Sequence, residues 1–568
     1  MNDQRLENLL NLSLDATAKE RAESEALEEG YSPATDTWEL IVQYHGNLLR
    51  YQSEEIRIEP LIDGYAIVRI REPLIEAFAR LEEVEYIEKP KRLVFATTMA
   101  ARASCIYQVT EGAMQLTGEG VLVAVLDSGV AYYRREFRTE SDQSRILALL
   151  DQTTGVEYNR EKINEALRAP NAQLAQQIVA STDQTGHGTA VAGIVTQIAP
   201  ECDLVVVKLG RSGDYTYPRT TELMRALKFA VQKALFYNRP MVINISLGSS
   251  YGPHDGTGLL ERYIDRIAQM GKLVICIGSG NEGSNSGHYY GRINGGMNGY
   301  GRRQELEFSV ARYEGSLSLQ IWQSYQDVYR MTLISPDGVE HVLPELGNAA
   351  VRIPVTGTDA LIYLGEPTPY SMEKETYFDL IPTDDFLPSG IWRIRVEGLE
   401  VRNGQFNAYL PSQEARQPGT RFIRPATERT LTIPSTAGEV ITVGAYDART
   451  DSYADFSGRG YVSELGSEMV SMVKPELVAP GVNLRVLAGE SGTTVVSGTS
   501  FATPIVAAGA ALLMEWGITK GNDPYLYGAK CKAYLIRGAR RFGGFNVWPN
   551  ELVGWGALCL ADSFPAVE

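Results

Sequence analysis

Four short apolar runs, interrupted only by Asn244, constrain this chain more than anything else in it: residues 121–126, 204–207, 241–245 and 273–277. A strand that is apolar on both faces must be covered on both faces, which is the condition of a parallel sheet between helix layers. Residues 189–198, 222–236 and 259–270 lie between these runs and have the length of crossover helices. The spacing therefore predicts an α/β fold with a doubly wound, mostly parallel sheet. Functional residues in such a fold gather outside the carboxyl ends of the strands.

The pattern is interrupted and then resumes. After Asn281 a glycine-, serine- and asparagine-rich stretch leads into some 120 residues of short strands and turns, clearest at 305–311, 316–322, 330–334, 377–381, 390–396 and 405–410. These predict an inserted antiparallel β-sandwich, a jelly roll, over 295–425. The α/β texture returns near Thr430 with a strand at 440–444 and runs through an apolar helix at 505–514. The parent domain is thus 97–294 and 426–568. Ahead of it, 1–96 divides into an acidic, partly helical leader, 1–30, whose role is not legible, and a strand, strand, helix and strand over 31–96 that suggest a small α+β domain of split βαβ character.

At 568 residues the chain can bury several cores, and its net charge of -17 argues against nucleic acid or an anionic membrane as partner. Met1 to Gly30 holds eight acidic and three basic residues without a basic start followed by an apolar run, so no secretory signal is expected. No membrane span is expected either. The odd count of five widely spaced cysteines predicts reduced thiols in a reducing compartment.

Candidate chemistry sits at glycine-bordered strand and helix ends. Ser500, in Ser497-Gly-Thr-Ser-Phe-Ala-Thr-Pro504, stands where a loop meets the apolar helix, on the positive end of its dipole. A serine hydroxyl needs a base, an orienting carboxylate and oxyanion donors before it can act as a nucleophile. Asp127 ends the first apolar run, His187 opens a helix between two glycines, and Asn281 follows a strand beside Gly280. Each alone reads as readily as a turn or cap residue. Together they occur in the chain order Asp, His, Ser.

With that order, Val125-Leu-Asp-Ser-Gly129, Gly186-His-Gly-Thr189, Ser246-Leu-Gly248, Gly280-Asn-Glu-Gly283 and the Ser500 motif resemble those of subtilisin-like serine proteases. The resemblance implies a serine endopeptidase in which Asp127 orients His187, His187 is the general base, Ser500 is the nucleophile and Asn281 an oxyanion donor. It further implies that Ser246, Leu247 and Gly248, with Gly280, bind substrate backbone as an added strand. No cofactor is called for, and no metal site; no dense loop of oxygen ligands is present, and a structural calcium ion stays open. Two departures stand out. The spacings from Asp127 to His187 and from His187 to Ser500 are longer than in subtilisin, and Phe501 stands where methionine is common.

The same resemblance makes 31–96 a prodomain that folds the enzyme and then inhibits it, cut at Phe95, Ala96 or Thr97. Counting from Thr97 makes Asp127 the thirty-first residue, close to the interval in subtilisin. Residues 92–96 are expected to lie extended for the cut. Prodomain, inserted jelly roll and lack of a secretion signal are similar to the germination-specific Csp proteases of clostridia, the CspB type in particular. That likeness implies a cytoplasmic or spore-associated enzyme, with the zymogen of a spore-cortex lytic enzyme as protein substrate and its own cleaved prodomain as partner. A cytoplasmic subtilase with another target and an inactive pseudoprotease scaffold are the alternatives.

Overall fold

The computed structural model describes residues 5–18, 21, 30–61, 64–90, 96–210, 218–294, 303–345, 349–465 and 469–565. The chain forms two compact units, Met1–Phe95 and Ala96–Glu568.

In the N-terminal unit, strand Thr37–Tyr44 pairs antiparallel with Tyr65–Arg71 on one side and with Val84–Glu88 on the other, and Ile56–Pro60 extends the sheet beyond Tyr65–Arg71. The helix expected at 73–81 is shorter: a 3₁₀ turn, Glu72–Leu74, leads into the α-helix Ile75–Ala79, with Pro73 in the first turn where its missing N–H costs nothing. The leader is part of this unit. Leu6 and Leu10 are buried in one apolar cluster with Trp38, Val68 and Phe78, and the Glu7 N–H donates to the Ile87 carbonyl at 2.9 Å.

The second unit is built on a sheet ordered Ser452–Tyr453, Ile441–Asp447, Leu273–Gly278, Met241–Ile245, Leu122–Asp127, Asp203–Lys208, Ile146–Asp151, Val156–Asn159. Neighbours are parallel except at the two outer pairs. Both faces are covered, as the apolar runs require. Val123 and Val125 pack with helices His187–Ile198 and Thr499–Met514, while Leu122, Ala124 and Leu126 pack with Thr220–Tyr237 and Leu259–Ala268. The chain winds to one side of Leu122–Asp127 and then to the other, so this strand is the switch point of the sheet.

One helix bears on the membrane reading. The stretch Thr499–Thr519 is long and apolar enough to cross a bilayer, but 89% of that window is buried in the body. It is the core helix of the domain, apolar all round because it is surrounded.

Between Asn281 and Thr430 the structure holds two antiparallel sheets. One runs His288–Arg292, Gln405–Tyr409, Leu317–Ser324, Glu373–Pro382, Thr358–Leu364, Ala349–Val355, and the other Glu340–Val342, Val328–Ile334, Gly390–Glu400, Arg303–Val310, Arg421–Phe422. Leu319, Ile321 and Phe378 from the first share a buried cluster with Phe308, Trp392 and Ile394 from the second. The pairing begins at His288, ahead of residue 295.

A further correction concerns the cysteines. Cys105 and Cys559 form a disulfide across 454 residues of sequence, and Cys202, Cys276 and Cys531 are free and buried. Spacing along the chain cannot reveal such a pair, because it closes only when the two ends of the unit meet in space.

Candidate active site

Asp127 is the last residue of the switch-point strand and only 4% exposed. Its Oδ1 accepts from the Ser128 N–H at 2.7 Å and lies 2.7 Å from His187 Nδ1, while Oδ2 is buried without a hydrogen-bond partner. A buried carboxylate bonded to Nδ1 fixes the imidazole tautomer and leaves Nε2 as the ring's acceptor. His187 begins its helix because Gly186 turns the chain at φ 75°, and Gly188 lets the helix approach the strand: a Cβ there would lie 2.2 Å from the Gly129 carbonyl oxygen. Burial disfavours the imidazolium, but the charge and hydrogen bond of Asp127, together with Asp183, outweigh it and hold the His187 pKa above its ordinary value.

Ser500 lies in the first turn of Thr499–Met514, with Gly498 at the cap. Two reciprocal bonds tie it to the end of strand Met241–Ile245: Ser500 Oγ donates to the Ser246 carbonyl at 3.2 Å, and Ser246 Oγ to the Ser500 carbonyl at 2.9 Å. The Ser500 hydroxyl thus rests on backbone rather than on His187. The imidazole is nonetheless adjacent, its ring 5.3 Å from that of Phe501, the next residue. Phe501 fills the methionine position of related sequences by packing on the histidine.

Asn281 is held by its oxygen. Oδ1 accepts from the Thr499 N–H at 3.0 Å and from Thr499 Oγ1 at 3.2 Å, which turns Nδ2 towards Gly498, two residues before Ser500. Ser246 is buried, Leu247 half-buried and Gly248 exposed. Ser249 pairs antiparallel with Ile433. Thr432, which the sequence reading did not single out, stands between the two candidate substrate loops. A Cβ on Gly248 would come within 2.4 Å of its side chain and one on Gly280 within 2.5 Å.

Sequence reasoning also missed Asp183, which accepts from Ser128 Oγ and Thr189 N–H. Phe95 lies outside the described residues. The backbone is helical from Ala96 through Ala103, so the extended stretch expected at 92–96 does not include Ala96, and Thr97 lies within a helix. Among the described residues no group of three or more His, Cys, Asp or Glu is placed to hold a metal ion.

A doubly wound sheet with a buried Asp–His pair at its switch point and a serine on the facing helix end defines a class, and the chain belongs to it: the subtilase family, whose profile matches residues 118–302 and 413–556. The unmatched interval falls in the two antiparallel sheets. Residues 4–91 match the Csp protease B prodomain profile. More particularly, the chain is similar to the solved CspB protease of Clostridium perfringens, with 35% identity, a TM-score of 0.75, and coverage of 82% of this chain and 96% of that one.

Curated relatives include subtilisin of Bacillus sp. (strain TA39), 28% identical over 235 residues, 39% of this chain and 47% of that protein. The membrane-bound transcription factor site-1 protease of Mus musculus is 34% identical over 135 residues, 24% of this chain and 12% of that protein. The chain spans less than half the length of these curated relatives.

Proposed function

We propose that the chain is a serine endopeptidase in which Ser500 attacks a peptide carbonyl. The observation that carries this reading is the 2.7 Å Asp127–His187 bond beside a serine at a helix N-terminus. A rotation of the Ser500 side chain exchanges the Ser246 carbonyl for His187 Nε2. As Oγ bonds to the carbonyl carbon, its proton passes to Nε2, the imidazolium is stabilised by Asp127, and the carbonyl π pair moves onto oxygen. Asn281 Nδ2 and the Ser500 N–H then donate to that oxyanion. Collapse of the intermediate breaks the C–N bond while His187 returns the proton to the leaving amine. Water hydrolyses the acyl ester by the same relay.

In this reading residues 246–248 and 280 receive substrate backbone, 1–96 is the prodomain removed by a cut between about Phe95 and Thr98, and the two inserted sheets form a jelly roll. The physiological target is the zymogen of a spore-cortex lytic enzyme, a proposal supported by the likeness to the CspB protease. We place the enzyme with the spore, since the Cys105–Cys559 disulfide fits a setting that does not keep thiols reduced. The test is labelling of the purified chain by a fluorophosphonate probe. Wild type should be labelled and hydrolyse peptides, and Ser500→Ala should do neither. A Ser500→Ala chain that hydrolyses as fast as wild type would rule the reading out.

A further inference from the structure

A second carboxylate, Asp183, stands behind the Asp127–His187 pair. Its Oδ1 accepts from Ser128 Oγ at 2.8 Å and Gly186 N at 3.0 Å, and lies 3.3 Å from Thr185 Oγ1, whose single proton has its shorter bond, 2.8 Å, to Ser128 Oγ. Its Oδ2 accepts from Thr189 N at 2.8 Å and Thr189 Oγ1 at 2.6 Å. Every donor lies within two residues of Asp127 or His187. Ser128 passes the connection on, donating its N–H to Asp127 Oδ1 and accepting from Gly188 N at 3.0 Å. Thr189 Oγ1 in turn accepts from the Ala131 N–H at 2.9 Å. Two segments 60 residues apart in sequence, the end of a strand and the start of a helix, are thereby held in one register. Only an ionised carboxylate can accept from so many donors at once; an amide would turn its NH₂ against some of them.

We propose that Asp183 is a positioning residue that holds His187 in register with Asp127 and places a second negative charge beside the imidazole. The inference rests on His187 acting as general base. The charges that act on the ring are the carboxylates of Asp127, bonded to Nδ1, and of Asp183 behind it; Phe501 packs beside the ring without charge, and the charge of Glu490 acts on Tyr133. A nearby carboxylate favours the imidazolium, so removing the Asp183 charge lets His187 lose its proton at lower pH. It also loosens the loop that aims the ring, and misplacement on the scale of 1 Å costs rate rather than binding.

Two substitutions separate charge from scaffold. Asp183→Asn removes the charge together with the acceptors on one oxygen, whereas Thr189→Val keeps the charge and removes only a hydroxyl donor. Asp183→Asn is expected to lower kcat by roughly 10- to 100-fold with KM within about twofold of wild type, and to move the acid limb of kcat/KM to lower pH. Thr189→Val is expected to lower kcat and leave the acid limb in place. A readout independent of turnover is the imidazole titration in the full chain labelled with ¹³C-histidine, with His187 assigned by its loss in His187→Gln; Asp183→Asn should titrate below wild type. Equal midpoints in wild type and Asp183→Asn would overturn the electrostatic role, and wild-type kcat in both variants would overturn the positioning role. If Asp183→Asn does not fold, wild-type kcat in both Thr189→Val and Ser128→Ala overturns the register argument. A wild-type chain without hydrolytic activity refutes the general-base reading, and the titration midpoints still decide the part played by Asp183.

Discussion

His187 is pulled two ways: burial favours the neutral ring, the carboxylates of Asp127 and Asp183 favour the charged one, and the carboxylates prevail. Since general-base action needs the neutral ring, hydrolysis should rise with pH and reach half its maximum above the ordinary imidazole value of about 6.5. A kcat/KM profile from pH 5 to 9 on a peptide substrate checks this, and a midpoint at or below that value would contradict it. Asn281→Ala should reduce kcat by roughly 10²–10³-fold, the loss known for the equivalent donor in subtilisin and taken over here as such. The fold should survive with a lowered melting temperature, because Thr499 loses its acceptor, and an unaltered kcat would assign the oxyanion to other donors. Asp127, His187, Asn281 and Ser500 could be singled out as candidates because each lies in a short motif that carries glycine. Asp183 carries a weaker local signal, an Asp three residues before the Gly186 turn, which cap reasoning would have flagged. Thr432 carries none, because it reaches Gly280 only after the chain has passed through the whole insert.

Among the elements, the sheet of the catalytic unit could be read because strands apolar on both faces have few alternatives. Ala349–Val355 could not, since Pro354 argues against a strand; the proline is tolerated because this strand forms the edge of its sheet. That the leader is partly helical was legible, and the helix is Asn8–Asp15, but its packing was not, because its partners Trp38 and Phe78 are distant in sequence. The insert also supports the site. Gln320 Oε1 accepts from the Gly252 N–H at 3.0 Å, Tyr251 Oη meets Ser318 Oγ at 2.8 Å, and His254 stacks on Tyr409 at 3.8 Å. These contacts steady the loop that continues from residues 246–248. The Gln413 N–H donates to Glu282 Oε1 at 3.2 Å beside Asn281. Replacing residues 295–425 by a short linker should therefore lower the melting temperature and slow fluorophosphonate labelling together. A deletion variant that melts and labels like wild type would show that the insert is dispensable to the site.

At the scale of the whole molecule, the expected event is a single self-inflicted cut between about Phe95 and Thr98. Because the nucleophile would act within its own chain, wild type should appear on denaturing gels as two fragments, the smaller about a sixth of the length, and Ser500→Ala as one. Mass spectrometry fixes the bond, and size exclusion without denaturant shows whether the fragments stay together. Intact wild type, or equal cutting of Ser500→Ala, would refute self-processing. The backbone is helical from Ala96, so a cut at or after Ala96 requires the first turn of that helix to unwind.

The pairing of Cys105 with Cys559 gives the catalytic unit a property that no single strand or helix has: its covalent backbone is a closed ring. Closing a loop of this length removes about 6 kcal/mol of denatured-chain freedom on the chain-entropy account. A protease cutting anywhere between the two cysteines opens the ring without releasing a piece, so a nicked enzyme keeps its full mass until a thiol reagent is added. The removal of the N-terminal unit is the exception, because its bond lies outside the ring. On non-reducing gels, maturation is therefore visible as a loss of mass, and internal damage is not.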